Sequence, residues 1–232
     1  MIKLRRADAR GLTRTGWLES HHSFSFGNYY DSSSMGFRDL RVINEDFVKE
    51  GTGFGTHSHK DMEIITYVLN GTIQHRDSTG GQGLIKPGDF QRMTAGTGVS
   101  HSEFNHSKVD PVHFLQIWIL PEKEGLRPGY EQKAFPVEDR IGKFALVASR
   151  DGRDESLKIN QDAALYIGNI EVGAEISKAI GPGRHAWLQV TRGLVTVGEH
   201  ELSAGDGASI SEEAAISLKA NTDAEVLLFD LA

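Results

Sequence analysis

Apolar positions along the chain fall in short runs: LRVINEDFV, EIITYVL, TIQHRD, HFLQIWIL, KFALVAS, ALYIGNIEV, AWLQVTRGLVTV, ASISEEAAISLKA and EVLLFDL. Turn clusters such as DSTGGQG, AGTG and GPG separate them. Runs rich in β-branched and aromatic residues and bounded by turns read as strands, and many of them at this spacing predict an all-β sandwich or barrel. No amphipathic pattern lasts longer than two helical turns. Short helices are expected only near residues 122–132 and 209–216.

Two stretches share one pattern. Thr66–Met93 (TYVLNGTIQH…IKPGDFQRM) resembles Leu188–Ile210 (LQVTRGLVTV…LSAGDGASI). Each has a strand, a glycine (Gly71 or Gly193), a second strand, a hairpin and then Gly-Asp (Gly88-Asp89 or Gly205-Asp206). An internal repeat of this kind predicts two copies of one β-barrel unit. The polar, Pro- and Gly-containing PEKEGLRPGYEQ near residues 121–132 is the expected linker. The N-terminal domain is accordingly placed at 1–128 and the C-terminal domain at 129–232.

Candidate chemistry concentrates in the first copy. Eight of the ten histidines lie within the first 113 residues. His57 and His59 precede a strand-like run, and on a strand residues i and i+2 point to the same face. His101 and Glu103, in TAGTGVSHSEFN, have the same spacing. Two such pairs on two strands predict three imidazoles and one carboxylate around a divalent first-row ion such as iron, copper, nickel or manganese. Glu63 competes with Glu103 for the carboxylate position, since it follows His59 by four residues with the same strand parity.

The repeat provides an internal control. Counted from Gly193 as His57 and His59 are from Gly71, the second copy has Ala179 and Gly181. Counted from Asp206 as His101 and Glu103 are from Asp89, it has Leu218 and Ala220. A barrel that needed the polar residues for its fold would need them twice, so they point to a function of the first copy alone. Asp89 recurs as Asp206 and is therefore expected to be a turn residue.

Other residues have less to distinguish them. His21, His22 and His75 could face a pocket, His75 from the second strand, but are expected first at the surface or in packing. Phe24, Phe26, Phe54 and Phe114 could wall a flat ligand but are expected in the ordinary core. Gln116, polar in the middle of an apolar strand, needs a buried partner. Asp31–Gly36 (DSSSMG) is expected to be a loop over the entrance.

Composition narrows the function. With 232 residues the chain can bury a substantial core. It has no cysteine, which excludes disulfides, thiolate ligands and cysteine nucleophiles and fits a reducing cytoplasm. MIKLRRADARGL carries charge without an apolar segment, so a signal peptide is not expected. No run of roughly 18 apolar residues exists, so no membrane span is expected. A net charge of −7 argues against direct nucleic-acid binding.

At this point the motifs carry a resemblance. Gly51–Glu63 (G-x5-H-x-H-x3-E) resembles the first cupin motif, although seven residues rather than six separate Glu63 from Gly71. The second motif is also atypical, because KPGDF is followed only later by His101. Together with FSFGNYYD, GFGTHSHKDMEI, PGDFQRMTAGTGVSHSE and LQIWILP, these features resemble the pirin family over nearly the whole chain, especially its bacterial members with quercetinase activity. The resemblance implies a bicupin, two tandem jelly-roll-like cupin barrels with metal in the first only. It implies His57, His59, His101 and Glu103 as ligands, favouring Glu103 over Glu63, and one divalent transition-metal ion. Iron(II) is expected first, with copper, nickel, manganese, cobalt and zinc as alternatives. It further implies dioxygen and a quercetin-like flavonol as substrates; on that reading Glu103 is the expected general base, and a monomer is expected. Some eukaryotic members of the family are instead iron-dependent transcriptional co-regulators, so a metal- or redox-sensing role through a protein partner is the alternative.

Overall fold

Strand is the only regular structure of any length in the computed structural model, which describes residues 1–232. The chain opens with β1 (Ile2–Arg5). It continues through β2 (Gly11–Arg14), β3 (Leu18–His22), β4 (Leu40–Val48), β5 (Gly53–His59), β6 (Glu63–Asn70), β7 (Ile73–Asp77) and β8 (Gln82–Ile85). Next come β9 (Asp89–Thr94), β10 (Val99–Asn105), β11 (Val112–Ile119) and β12 (Gly129–Ala134). Then follow β13 (Phe144–Ser149), β14 (Leu157–Lys158), β15 (Ala163–Ile170), β16 (Glu175–Ala179), β17 (His185–Arg192) and β18 (Leu194–Val197). The last four are β19 (His200–Ser203), β20 (Gly207–Ile210), β21 (Ala215–Ala220) and β22 (Ala224–Leu231). Three single 3-10 turns are the only helical pieces, and no helix is long and apolar enough to cross a membrane. The short helices expected near 122–132 and 209–216 do not form. Gly129–Ala134 instead pairs along its length with β9, and Gly207–Ile210 pairs with β17.

The chain divides into two compact units. One comprises Gly11–Ala134 with Ile159–Gln161; the other comprises Met1–Arg10, Phe135–Lys158 and Asp162–Ala232. A boundary at 128/129 therefore misplaces β12, β1 and three residues near 160. The reason is edge pairing: an open sheet edge leaves a row of unpaired N–H and C=O groups. β12 covers the β9 edge in the first unit, and β1 covers the β20 edge in the second.

Within each unit the strands have one arrangement. The first has a seven-stranded sheet β12-β9-β6-β11-β4-β3-β2 and a four-stranded sheet β5-β10-β7-β8. The second has β1-β20-β17-β22-β15-β13-β14 and β16-β21-β18-β19. The strand orders correspond position by position, with β5 and β10 matching β16 and β21, and only the last pair differs, β2–β3 being antiparallel and β13–β14 parallel. The repeat extends to the corners. Gly88 and Gly205 have φ of 89° and 88°, a conformation in which a Cβ is strained. Asp89 and Asp206 each accept a backbone N–H from three residues back, Lys86 and Ser203, both at 3.0 Å. Both units are cupin barrels, and the protein is an all-β bicupin.

The interiors differ. The second is one apolar cluster that includes Tyr166, Ile176, Leu188, Ile216, Leu218 and Ala220. The first has separate apolar clusters toward the two ends of β6, one around Val68, Ile73 and Phe114 and one around Ile64, Met93 and Val99. Buried polar side chains lie elsewhere in its interior, including Asn44, Asp46, His75, His101, Glu103 and Gln116.

Candidate metal centre

β5 and β10 run antiparallel, with His57 directly opposite His101 and His59 opposite Val99. A bulge interrupts the register, since His101 faces His57 but Glu103 faces Phe54. Gly55 and Thr56 thus share one partner, the arrangement that kinks a strand and re-aims its side chains. Beside the bulge, the ring N–H of His57 at Nδ1 donates to the Gly55 carbonyl at 2.8 Å. That bond leaves the Nε2 lone pair of His57 available.

The donor atoms of His57, His59 and His101 lie within 4.8 Å of one another. Their ring centroids are 4.4–4.9 Å apart. His101 is buried, and neither of its ring nitrogens has a hydrogen-bond partner. Burial, reinforced by His57 and His59, lowers the His101 pKa to about 3. Burial and then His57 lower that of His59 to about 4. These rings are therefore neutral at physiological pH, which is the form that binds metal. Two unpartnered buried nitrogens beside two further imidazoles are costly without a partner. A divalent first-row ion would take the lone pair of one of them together with the neighbouring imidazoles, so the residues fit the metal that the spacing predicts.

Glu103 follows on the same face of β10. Its carboxylate accepts Gln116 Nε2 at 2.7 and 2.6 Å and the Thr66 hydroxyl at 3.1 Å. Burial raises its pKa, opposed by His75, Thr66 and Gln116. Gln116 thus has the partner its position demands. The carboxylate is grouped with His75 and His101 rather than with His57 and His59. The four expected residues are therefore divided between two triads that share His101, the second completed by His75.

Glu63 lies outside both groups. It is fully buried, accepting from Thr94 at 3.0 Å and Asn160 at 3.1 Å. The parity argument for it fails because β5 ends at His59 and β6 belongs to the other sheet.

Two histidines expected at the surface or in packing belong to this interior. His75 faces Glu103 across the β7–β10 pair, and Asp77 faces His101. His75 Nε2 lies 3.1 Å from Asp77 Oδ2, and its Nδ1 is buried without a partner. The overlooked signal was the same i, i+2 spacing in His75-x-Asp77. His22 is 2% exposed on β3. Its Nδ1–H donates to Asn44 Oδ1 at 2.7 Å, and its Nε2 accepts from Thr13 at 2.8 Å. His21 has the opposite parity and pairs with Glu19, consistent with the surface role expected for it.

A cavity of about 370 Å³ opens on this centre and is lined by His57, His59, Glu103 and Gln116. Phe26, Phe54 and Trp118 give it aromatic walls, with Trp118 edge-on to Phe26 at 5.3 Å and to His59 at 4.9 Å. Phe24 and Phe114 are buried core instead. Phe26–Asn28 lines the cavity and Asp31–Gly36 does not.

Fold and site define a bicupin with a histidine cluster in its first barrel. Residues 4–119 match the family model described as Pirin, and residues 146–231 match the Quercetinase C-terminal cupin domain. The chain is 50% identical over 231 residues to a quercetin 2,3-dioxygenase of Escherichia coli (strain K12), covering 100% of this chain and 99% of that protein. The crystal structure of YhhW from Escherichia coli superposes with a TM-score of 0.96 at 49% identity, covering 100% of this chain and 98% of that one. The structure of bacterial pirin YhhW in complex with nickel(II) gives 0.95 at 49% identity, covering 100% and 99%. The chain belongs to the pirin family.

Proposed function

We propose that this protein is a metal-dependent dioxygenase that opens the heterocyclic ring of flavonols such as quercetin with dioxygen. The observation that carries the proposal is the cluster of His57, His59 and His101 on an aromatic-walled cavity. The full-length similarity to a quercetin 2,3-dioxygenase supports it. His57, His59, His101 and Glu103 are the proposed ligands of one divalent ion. Iron(II) is the first choice, and the nickel(II) complex of the Escherichia coli relative supports a divalent ion of this class. When bound, the ion acts as a Lewis acid that lowers the pKa of a hydroxyl placed on it.

The chain's own residues have separable tasks. Phe26, Phe54 and Trp118 flank a planar ring system and keep water from it. Glu103 takes the proton of the flavonol 3-hydroxyl on a carboxylate oxygen. Gln116 and Thr66 hold that carboxylate in place by donating to it. The deprotonated flavonol is electron-rich enough to react with dioxygen, and ring opening releases carbon monoxide.

Oxygen uptake with quercetin by metal-stripped protein reloaded with one ion at a time tests the proposal. Uptake with carbon monoxide release should appear with at least one divalent ion and be absent without metal. Uptake that is indifferent to metal, or absent with every ion, would contradict it.

A further inference from the structure

The proposed chemistry leaves one wall of the cavity unused. Ser20, His22, Asn44 and Asp46 line it from β3 and β4. Ser20 stands opposite Asp46, and His22 opposite Asn44. All four are buried polar residues. His22 is satisfied by Thr13 and Asn44, as described, and Ser20 hydrogen-bonds Asp46. One atom is left over: Asp46 Oδ1 is buried and has no partner.

Such an oxygen is expensive, since a buried polar atom without a hydrogen bond bears its full desolvation cost. It is also well placed. Asn44 lies opposite Gln116, which grips Glu103. Asp46 is two residues further along β4, about 7 Å by strand geometry. Glu103 and Asp46 both line the cavity, so a flat ligand with one hydroxyl at Glu103 can place a second, remote hydroxyl at Asp46. Burial holds the Asp46 carboxyl up to about 7, so both protonation forms occur near neutral pH. A hydroxyl suits either form because it donates and accepts; a bare ring C–H suits neither.

We propose that Asp46 Oδ1 is a specificity-determining contact that selects aromatic ligands carrying a phenolic hydroxyl remote from the reacting one. The role rests on the cavity being the flavonol site proposed above. Neighbouring Ser20 holds the carboxyl in position, and the Thr13–His22–Asn44 chain stiffens the strands around it.

The test is anaerobic binding of two probes to the metal-loaded protein. Quercetin carries remote hydroxyls, and 3-hydroxyflavone carries only the reacting one. The parent should favour quercetin by about tenfold or more, and Asp46→Ala should shrink the preference to within about twofold. Asp46→Asn keeps an acceptor oxygen and should retain most of the preference, which a merely structural role would not produce. Asp46→Leu, apolar and larger, should behave as Asp46→Ala does and covers the case in which the alanine variant fails to fold. A parent with no preference, or a preference that survives in Asp46→Ala or Asp46→Leu, overturns the inference. Oxygen uptake is read separately: a parent that binds with this preference but never consumes oxygen refutes the oxygenase and leaves the Asp46 contact standing.

Discussion

At the scale of single residues, spacing was informative where both members of a pair lay on one strand. His57-x-His59 and His101-x-Glu103 each share a strand, and the fold brings the three histidines together. Glu63 has matching parity but lies beyond a turn at Asp61, where φ is 47°. Parity does not survive such a turn. Asp46 was not legible at all, because an isolated Asp in LRVINEDFV looks like any exposed position of a half-buried strand. Its stability contribution is testable. The carboxyl is raised from its ordinary value of 3.8 to about 7, first by burial, with the Glu103 and Glu45 charges adding and Ser20 opposing. Between those values the folded protein holds a proton that the unfolded chain has released. Stability from this group is thus full below pH 4 and falls as pH rises toward 7. Asp46→Asn should therefore melt like the parent at pH 4 and be more stable at pH 8, by on the order of 1–3 kcal/mol. Equal differences at both pH values would show that the carboxyl is not protonated in the fold. Separately, His101→Ala should lose metal before it loses structure. Metal content should fall at least about tenfold, as expected for a lost ligand, while the melting temperature of the metal-free protein changes little or rises.

At the scale of elements, the strand runs were readable because alternation and β-branching survive in sequence, whereas edges were not. β12 contains Pro-flanked polar residues and resembles a linker, yet it pairs with β9 from Gly129 to Ala134. Only the unpaired edge of β9 requires it there, and that requirement is not local. The bulge on β5 was likewise invisible, since it depends on which residues of β10 stand opposite. Gly53 tests this pairing. A side chain there would collide with the Glu103 carbonyl and the Phe104 backbone, so β5 can approach β10 only with glycine at this position. Gly53→Val should destabilise the protein by roughly 1–3 kcal/mol and weaken metal binding, read by melting and metal titration. Unchanged metal affinity would show that the two strands do not set the site's geometry.

At the scale of the whole molecule, the repeat supplied the two-barrel architecture, and the matching sheet orders of the two units agree with it. It did not supply the exchange of chain ends, in which Met1–Arg10 belongs to the C-terminal unit. β1 pairs with β20, Arg6 bonds Asp206 at 2.9 Å, and the amino terminus reaches Glu213. Deleting residues 1–10 should therefore lower the melting temperature by roughly 5 °C or more, while the protein still takes up one ion per chain. Two ions per chain would contradict the apolar interior of the second barrel as the reason it holds none. Quercetin-dependent oxygen uptake tests whether this centre oxygenates flavonols with Glu103 as base. The comparison is between the parent and Glu103→Gln at matched metal content. The amide keeps the shape but cannot take the proton, so uptake should fall by ~10²–10⁴-fold. Uptake at the parental rate in metal-loaded Glu103→Gln would contradict the account.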